Sequence, residues 1–306
     1  MLGATLLVAG PALAFPTKDL TYVIPFNAGG ESDVTARLQE PKFRELTGKG
    51  FVIQYKTGAG GATAWSQANA LPGDGHTVIG INLPHIILQP LGGNVGYKTE
   101  DLAVINVFQL TPHALIVAED SPIKTVEDFV AEAKKRPGAV TVAGTGTNSA
   151  NHVAQQVFDQ AAGIKTTYVP FTGTAATTTA ILGKQVTAQW GFPTVAVEQK
   201  GKLRMLAVAM DQRHAAFPNV PTFKERGIPL VDGAYRGIAV AKSTPEAERK
   251  ALSDLFVKIN TDPGFRKKME EGGYVLIDVA YPDIAAFMAG KAKDYTGAAK
   301  LLGMIK

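Results

Sequence analysis

The run Leu20-Thr21-Tyr22-Val23-Ile24-Pro25-Phe26-Asn27-Ala28-Gly29-Gly30-Glu31-Ser32-Asp33 decides the fold class. Residues 20–26 form a short apolar strand, residues 27–32 a glycine-rich turn, and residues 33–46 carry helical spacing with Asp33 in an N-cap position. Such a turn presents unpaired backbone N–H groups at the positive end of a helix dipole, which suits an anion. The unit recurs. Strands are expected at 51–55 and 76–82, separated by a turn at 58–61 and a helix at 62–70. Strands alternating with helices argue for an α/β chain with parallel pairing.

The second half repeats the scheme. Thr125-x-x-Asp128 opens a helix as a capping box, and Arg136-Pro137-Gly138 ends it. Strands follow at 140–143, 166–169, 186–190 and 205–209, with helices at 151–162 and 175–182. Two apolar segments, 114–118 (ALIVA) and 237–241 (GIAVA), bracket this half. Helices at 243–260, started by Ser243, Pro245 and Glu246, and at 282–304 flank a strand at 275–279. The economical arrangement is a first domain of residues 15–114 plus 241–306, with a second domain of 115–240 inserted into it. The chain then crosses twice, which makes a two-strand hinge and a cleft.

A second Gly/Thr turn, Ala143-Gly144-Thr145-Gly146-Thr147-Asn148-Ser149-Ala150-Asn151-His152, lies in the inserted domain. One such turn is usually a plain strand–helix connection. Two, one per domain, point to a common cleft, because ligands of open α/β sheets bind beyond the carboxyl ends of the strands.

Composition removes other classes. The chain has 306 residues, 31 Lys and Arg against 27 Asp and Glu, and a net charge of +4 without any long basic run, so a nucleic-acid partner is not expected. There is no cysteine, hence no disulfide, thiolate metal site, Cys nucleophile or lipid-anchored N-terminal Cys. The five histidines are scattered without zinc spacing, and no G-x-S-x-G, G-x-G-x-x-G or phosphate-loop motif occurs. No catalysis, metal or cofactor is expected. Residues 1–14, MLGATLLVAGPALA, read as the end of a secretory signal with an A-x-A cleavage site at Ala12-Leu13-Ala14, although the usual positive start is missing. The mature chain is therefore expected to be exported and soluble in the periplasm.

Ordered motifs over nearly the whole mature chain resemble the extracytoplasmic solute receptors of tripartite tricarboxylate transporters, the Bug-type periplasmic binding proteins. They are Pro25-Phe26-Asn27-Ala28-Gly29-Gly30 with Asp33 and Ala36-Arg37; Gly58-Ala59-Gly60-Gly61; Pro72-Gly73-Asp74-Gly75-His76-Thr77; Gly144 to His152; Val169-Pro170-Phe171-Thr172-Gly173; Gly201-Lys202-Leu203-Arg204; and Pro218-Asn219-Val220-Pro221-Thr222. The resemblance implies a type II periplasmic binding protein, or Venus flytrap, of two doubly wound α/β domains. It further implies a monomeric receptor that holds a di- or tricarboxylate, or an aromatic acid, and delivers it to integral membrane subunits. The alternatives are a sensor feeding a signalling partner, or an enzyme acting in the same cleft.

Carried over, the candidates are Phe26, Asn27, Gly30, Glu31, Ser32 and Asp33 from the first turn, and Thr145, Gly146, Thr147, Asn148 and His152 from the second. Thr172, Gly173 and Thr174 are expected on the far wall. Two departures stand out. Glu31 replaces a small residue, and its carboxylate must turn toward a backbone donor or a cation, or else read a ligand amine. Gly191-Phe192 stands where the family often has Asp-Asn, which argues against amino-acid ligands and leaves Phe192 and Trp190 to stack on a ligand or to fill the core.

Overall fold

A computed structural model describes residues 15–305; the expected signal segment, residues 1–14, lies outside the described residues. The strands are β1 (Leu20–Ile24), β2 (Phe51–Tyr55), β3 (Thr77–Leu83), β4 (Leu102–Pro112), β5 (Ala114–Ala118), β6 (Thr141–Thr145), β7 (Thr167–Phe171), β8 (Ala188–Gly191), β9 (Leu203–Val208), β10 (Gly233–Ala241) and β11 (Leu276–Val279). Among them run helices α1 (Glu31–Thr47), α2 (Ala62–Trp65), α3 (His85–Gly92), α4 (Val126–Lys135), α5 (Ala150–Ala162), α6 (Thr174–Leu182), α7 (Pro193–Glu198), α8 (Glu246–Asn260), α9 (Pro263–Glu271) and α10 (Tyr281–Leu301).

They build two sheets, ordered β11-β4-β10-β3-β1-β2 and β7-β6-β8-β5-β9. In the first, β1 pairs parallel with β2 and β3, while β10 runs antiparallel to both β3 and β4. In the second, β6 pairs parallel with β7 and β8, and β5 is antiparallel to β8 and β9. The architecture is the two-domain α/β Venus flytrap. Pairing is mixed rather than all parallel because β5 in the second sheet, and β10 and β11 in the first, run against the other strands.

Helices cover both faces of the first sheet, so its strands are apolar on both sides. On β1, Leu20, Tyr22 and Ile24 join one cluster with Phe43 and Phe256, while Val23 joins Trp65, Ile79 and Ile81 on the other face. The second sheet likewise divides Leu115, Val142, Phe158 and Trp190 from Ile116, Ala143, Ile181 and Val195. Trp190, expected either as core or as a ligand stack, is core.

Several expectations shift. The strand that contains 237–241 is longer than expected: β10 begins at Gly233 and lies inside the first sheet. The helix after the first turn starts at Glu31 with Gly30 as N-cap, not at Asp33. Asp33 instead sits in the helix's first turn and accepts from the Gly29 N–H at 2.8 Å, from Arg37 Nε at 2.9 Å and from the Tyr55 hydroxyl at 2.8 Å, which fixes the turn from behind. The helix at 243–260 begins at Glu246 with no side-chain cap from Ser243. The capping box at Thr125 and Asp128 is present, with both reciprocal bonds. No helix among the described residues is long and apolar enough to cross a membrane.

Candidate functional site

The two sheets face each other across a small cavity at the carboxyl ends of their strands. From the first lobe its wall contains Phe26, Gly30, Glu31 and Ser32, then Asn82 and His85 after β3, and Ala234 and Arg236 from β10. The second lobe supplies Thr145 at the end of β6, Thr174 at the start of α6 and Phe192 after β8. The alternation of a strand puts Ala234 and Arg236 on this face of β10. Gly30, Glu31 and Ser32 bring the opening turn of α1 to the cavity, where helix N–H groups lack a carbonyl one turn back. The volume is about 10 Å³, room for roughly one water. The lobes are thus shut in this conformation, and admission of a solute requires the walls to part.

Backbone contacts hold the lobes at close range. A Cβ built on Gly146 lies 2.7 Å from the Gly60 Cα, and one built on Gly92 lies 2.1 Å from Nδ2 of Asn148. Gly173 packs on Asn27 and Phe26. The second turn also makes the closest approach between the lobes. Gly146, at φ +73°, bends the chain so that Thr147 is exposed and Asn148, itself at φ +49°, reaches the opposite lobe. His152 accepts from the Asn148 N–H at 3.2 Å and stacks on Tyr168, shaping the turn. Of that turn's candidates only Thr145 lines the cavity; it donates its hydroxyl to Asn151 Oδ1 at 2.6 Å. Gly146, Thr147, Asn148 and His152 do not line it, nor do Asn27, Asp33, Thr172 and Gly173.

The sequence reading missed Asn82, His85 and Arg236. Arg236 is buried and forms an ion pair with the buried carboxylate of Glu31. Glu31 also accepts from the hydroxyl of Thr194, at the start of α7 in the other lobe. The carboxylate is thus turned to a cation and a hydroxyl. Burial pushes its pKa above the ordinary range, while the Arg236 charge pulls it back down. Arg236 donates to the Thr111 hydroxyl at 3.0 Å, leaves its Nε without a partner, and stands 5.0 Å from the centroid of Phe192, whose ring also stacks on His113. Burial first, then Arg236 and His113, hold the His85 imidazole down to about 3, against a smaller upward pull from the Thr145 backbone. No group of three or more His, Asp or Glu side chains suited to a metal occurs among the described residues.

Comparison with known proteins agrees with this architecture. The family model described as tripartite tricarboxylate transporter family receptor matches residues 35–299. A protein of Cupriavidus necator, named for its place in the gbd 5' region, is 30% identical over 297 residues, 94% of this chain and 90% of that one. The periplasmic binding protein BugD superposes with a TM-score of 0.89 at 25% identity, over 95% of this chain and 100% of its own. The fold is also that of the R. palustris protein Rpa4515, solved with adipate, at TM-score 0.89 and 24% identity over 94% and 98% of the two chains. A chain with this fold and this span of family match belongs to the tripartite tricarboxylate transporter receptor family, the Bug-type solute-binding proteins.

Proposed function

We propose that this chain is a periplasmic receptor that closes its two lobes on a small dicarboxylate and hands it, as a monomer, to integral membrane subunits. One observation carries the reading: the only buried arginine of the cavity wall and the open N-terminus of α1 converge between the lobes. A helix start and a guanidinium are both carboxylate-binding groups. The adipate held by the R. palustris protein of the same fold supports the class. Phe192 is occupied by Arg236 and His113, which favours an aliphatic over an aromatic acid. The lobes are taken as residues 15–112 with 233–305, and residues 114–231, joined by two connecting segments. Hinged opening between them admits the solute.

The test is a thermal-shift and calorimetric panel of mono-, di-, tri- and aromatic carboxylates. An aliphatic dicarboxylate at one hundred times its Kd should stabilise the protein by about 2.7 kcal/mol. A panel in which only aromatic acids or amino acids shift the melting temperature would reject the dicarboxylate assignment. Within the site, Ser32→Ala should weaken binding by about 1.5–3 kcal/mol, the worth of a hydrogen bond to a charged group. Thr147→Ala, exposed and outside the wall, should bind as the parent does. Equal losses from both substitutions would count against the cavity as the binding site.

A further inference from the structure

His85 is 2% exposed and lines the cavity, and apart from a loose approach to the Thr145 backbone neither ring nitrogen has a hydrogen-bond partner. A buried imidazole normally has at least one nitrogen satisfied. Its ring is wedged edge-on against Phe26 and Trp65, 5.8 and 6.2 Å between centroids, so it is held in place without using its polar atoms. At least one nitrogen is therefore free for something that enters the cavity.

The charge accounting says what that is. The charged and titratable groups facing His85 are Glu31 from α1, Arg236 from β10, and His113 between β4 and β5. Glu31 and Arg236 cancel. His113, like His85, is held neutral, near a pKa of 3, by burial and by Arg236. The empty wall is thus close to neutral, with the fractional positive charge of the α1 N-terminus added. A monoanion matches that wall; a dianion leaves one negative charge uncompensated in a closed, poorly hydrated space.

We propose that His85 is the specificity-determining residue for the second carboxylate, binding it as imidazolium, so that a dicarboxylate enters the cleft together with one proton. The proposal rests on the carboxylate-receptor reading above. The proton comes from solvent and settles on a ring nitrogen that then donates to the carboxylate; no other bond changes. The magnitude is adequate. Opposite charges 4 Å apart near a protein surface attract by about 4 kcal/mol, which is about three pKa units and lifts an imidazole near 3 into the range of ordinary pH. Linkage then fixes the sign: a ligand that takes up protons binds more tightly as pH falls, by up to about tenfold per unit, and the effect fades above the pKa of the bound form.

Calorimetry at pH 6.5 with adipate, in two buffers of very different ionisation heat, reads the protons directly. At that pH both adipate carboxyls, ordinarily near 4, are ionised. With the imidazole lifted to about 6, wild-type protein should take up about a quarter of a proton. Hexanoate, of the same length with one carboxylate, should take up less than a tenth of a proton. His85→Gln, which keeps a donor and an acceptor, should still bind adipate but with a buffer-independent heat. Adipate that binds wild type with equal heats in both buffers overturns the role of His85 while leaving the receptor reading intact; no heat with any carboxylate overturns both. Uptake that persists in His85→Gln assigns the proton elsewhere, with Glu31 the first alternative, and equal uptake with hexanoate overturns the link to the second carboxylate.

Discussion

Arg236→Met is expected to destabilise the ligand-free protein by about 3–5 kcal/mol, the loss seen when one member of a buried ion pair is removed. The cost arises at Glu31. Its carboxylate is 4% exposed, and apart from Arg236 it keeps the Thr194 hydroxyl as partner. Without the guanidinium it must either stay charged in a medium that solvates it poorly or take up a proton. The pair as a whole is worth much less than this number, because burying both charges carries its own penalty. Glu31→Gln combined with Arg236→Met should therefore recover at least half of the single-variant loss. Urea denaturation of wild type, both single variants and the double variant forms the cycle that measures this. Additive losses would mean that the two side chains do not depend on each other. The same series separates stability from recognition: the double variant folds better than Arg236→Met yet should remain a poor carboxylate binder, since the cation is absent from the wall.

This pair also marks where the sequence could be read and where it could not. The strand, glycine-rich turn and helix at 20–46 were legible because apolar alternation, glycines and helical spacing coincide there, and Phe26, Gly30, Glu31 and Ser32 do line the cavity. The partner was not. Arg236 stands just before the apolar run GIAVA, and a lone cation in front of such a run normally reads as a strand boundary rather than as a wall residue. Strand β4 was unread for a related reason. Asn106, Gln109 and Thr111 interrupt its apolar pattern, but all three are buried, with Gln109 bonded to Thr35 and Thr111. Their partners are distant in sequence, so no local signal announces them. Asn82 and His85 were within reach: the strand at 76–82 was expected, and the rule that ligands sit beyond strand carboxyl ends applies to it as much as to β1 and β6.

The close approach of the turn after β6 to Gly60 yields the second large effect. Gly146→Ala is expected to lower ligand affinity at least tenfold by holding the lobes apart. At φ +73° an alanine already costs about 1–2 kcal/mol in any conformation of the protein. The larger part is specific to the closed form, where the new methyl would sit 2.7 Å from the Gly60 Cα. The methyl is fixed rigidly to its Cα and the Gly60 Cα is backbone, so no side chain can swing aside, and relief comes from separating the lobes. Opening that carries Gly60 away relieves this contact. A substitution that penalises only the closed state lowers apparent affinity by the fraction of closed state that it removes. Gly138→Ala is the control: φ is +78°, yet nothing lies within 4 Å of its Cβ, so it pays the backbone cost without the clash. It should lose stability and bind normally. Small-angle scattering should find Gly146→Ala at saturating dicarboxylate more extended than wild type, with faster ligand release. If the two alanine variants bind alike, the approach of Gly60 to Gly146 is not part of the ligand-holding conformation, and closure must be set by the contacts of Glu31 with Thr194 and of Asn148 with Gly92.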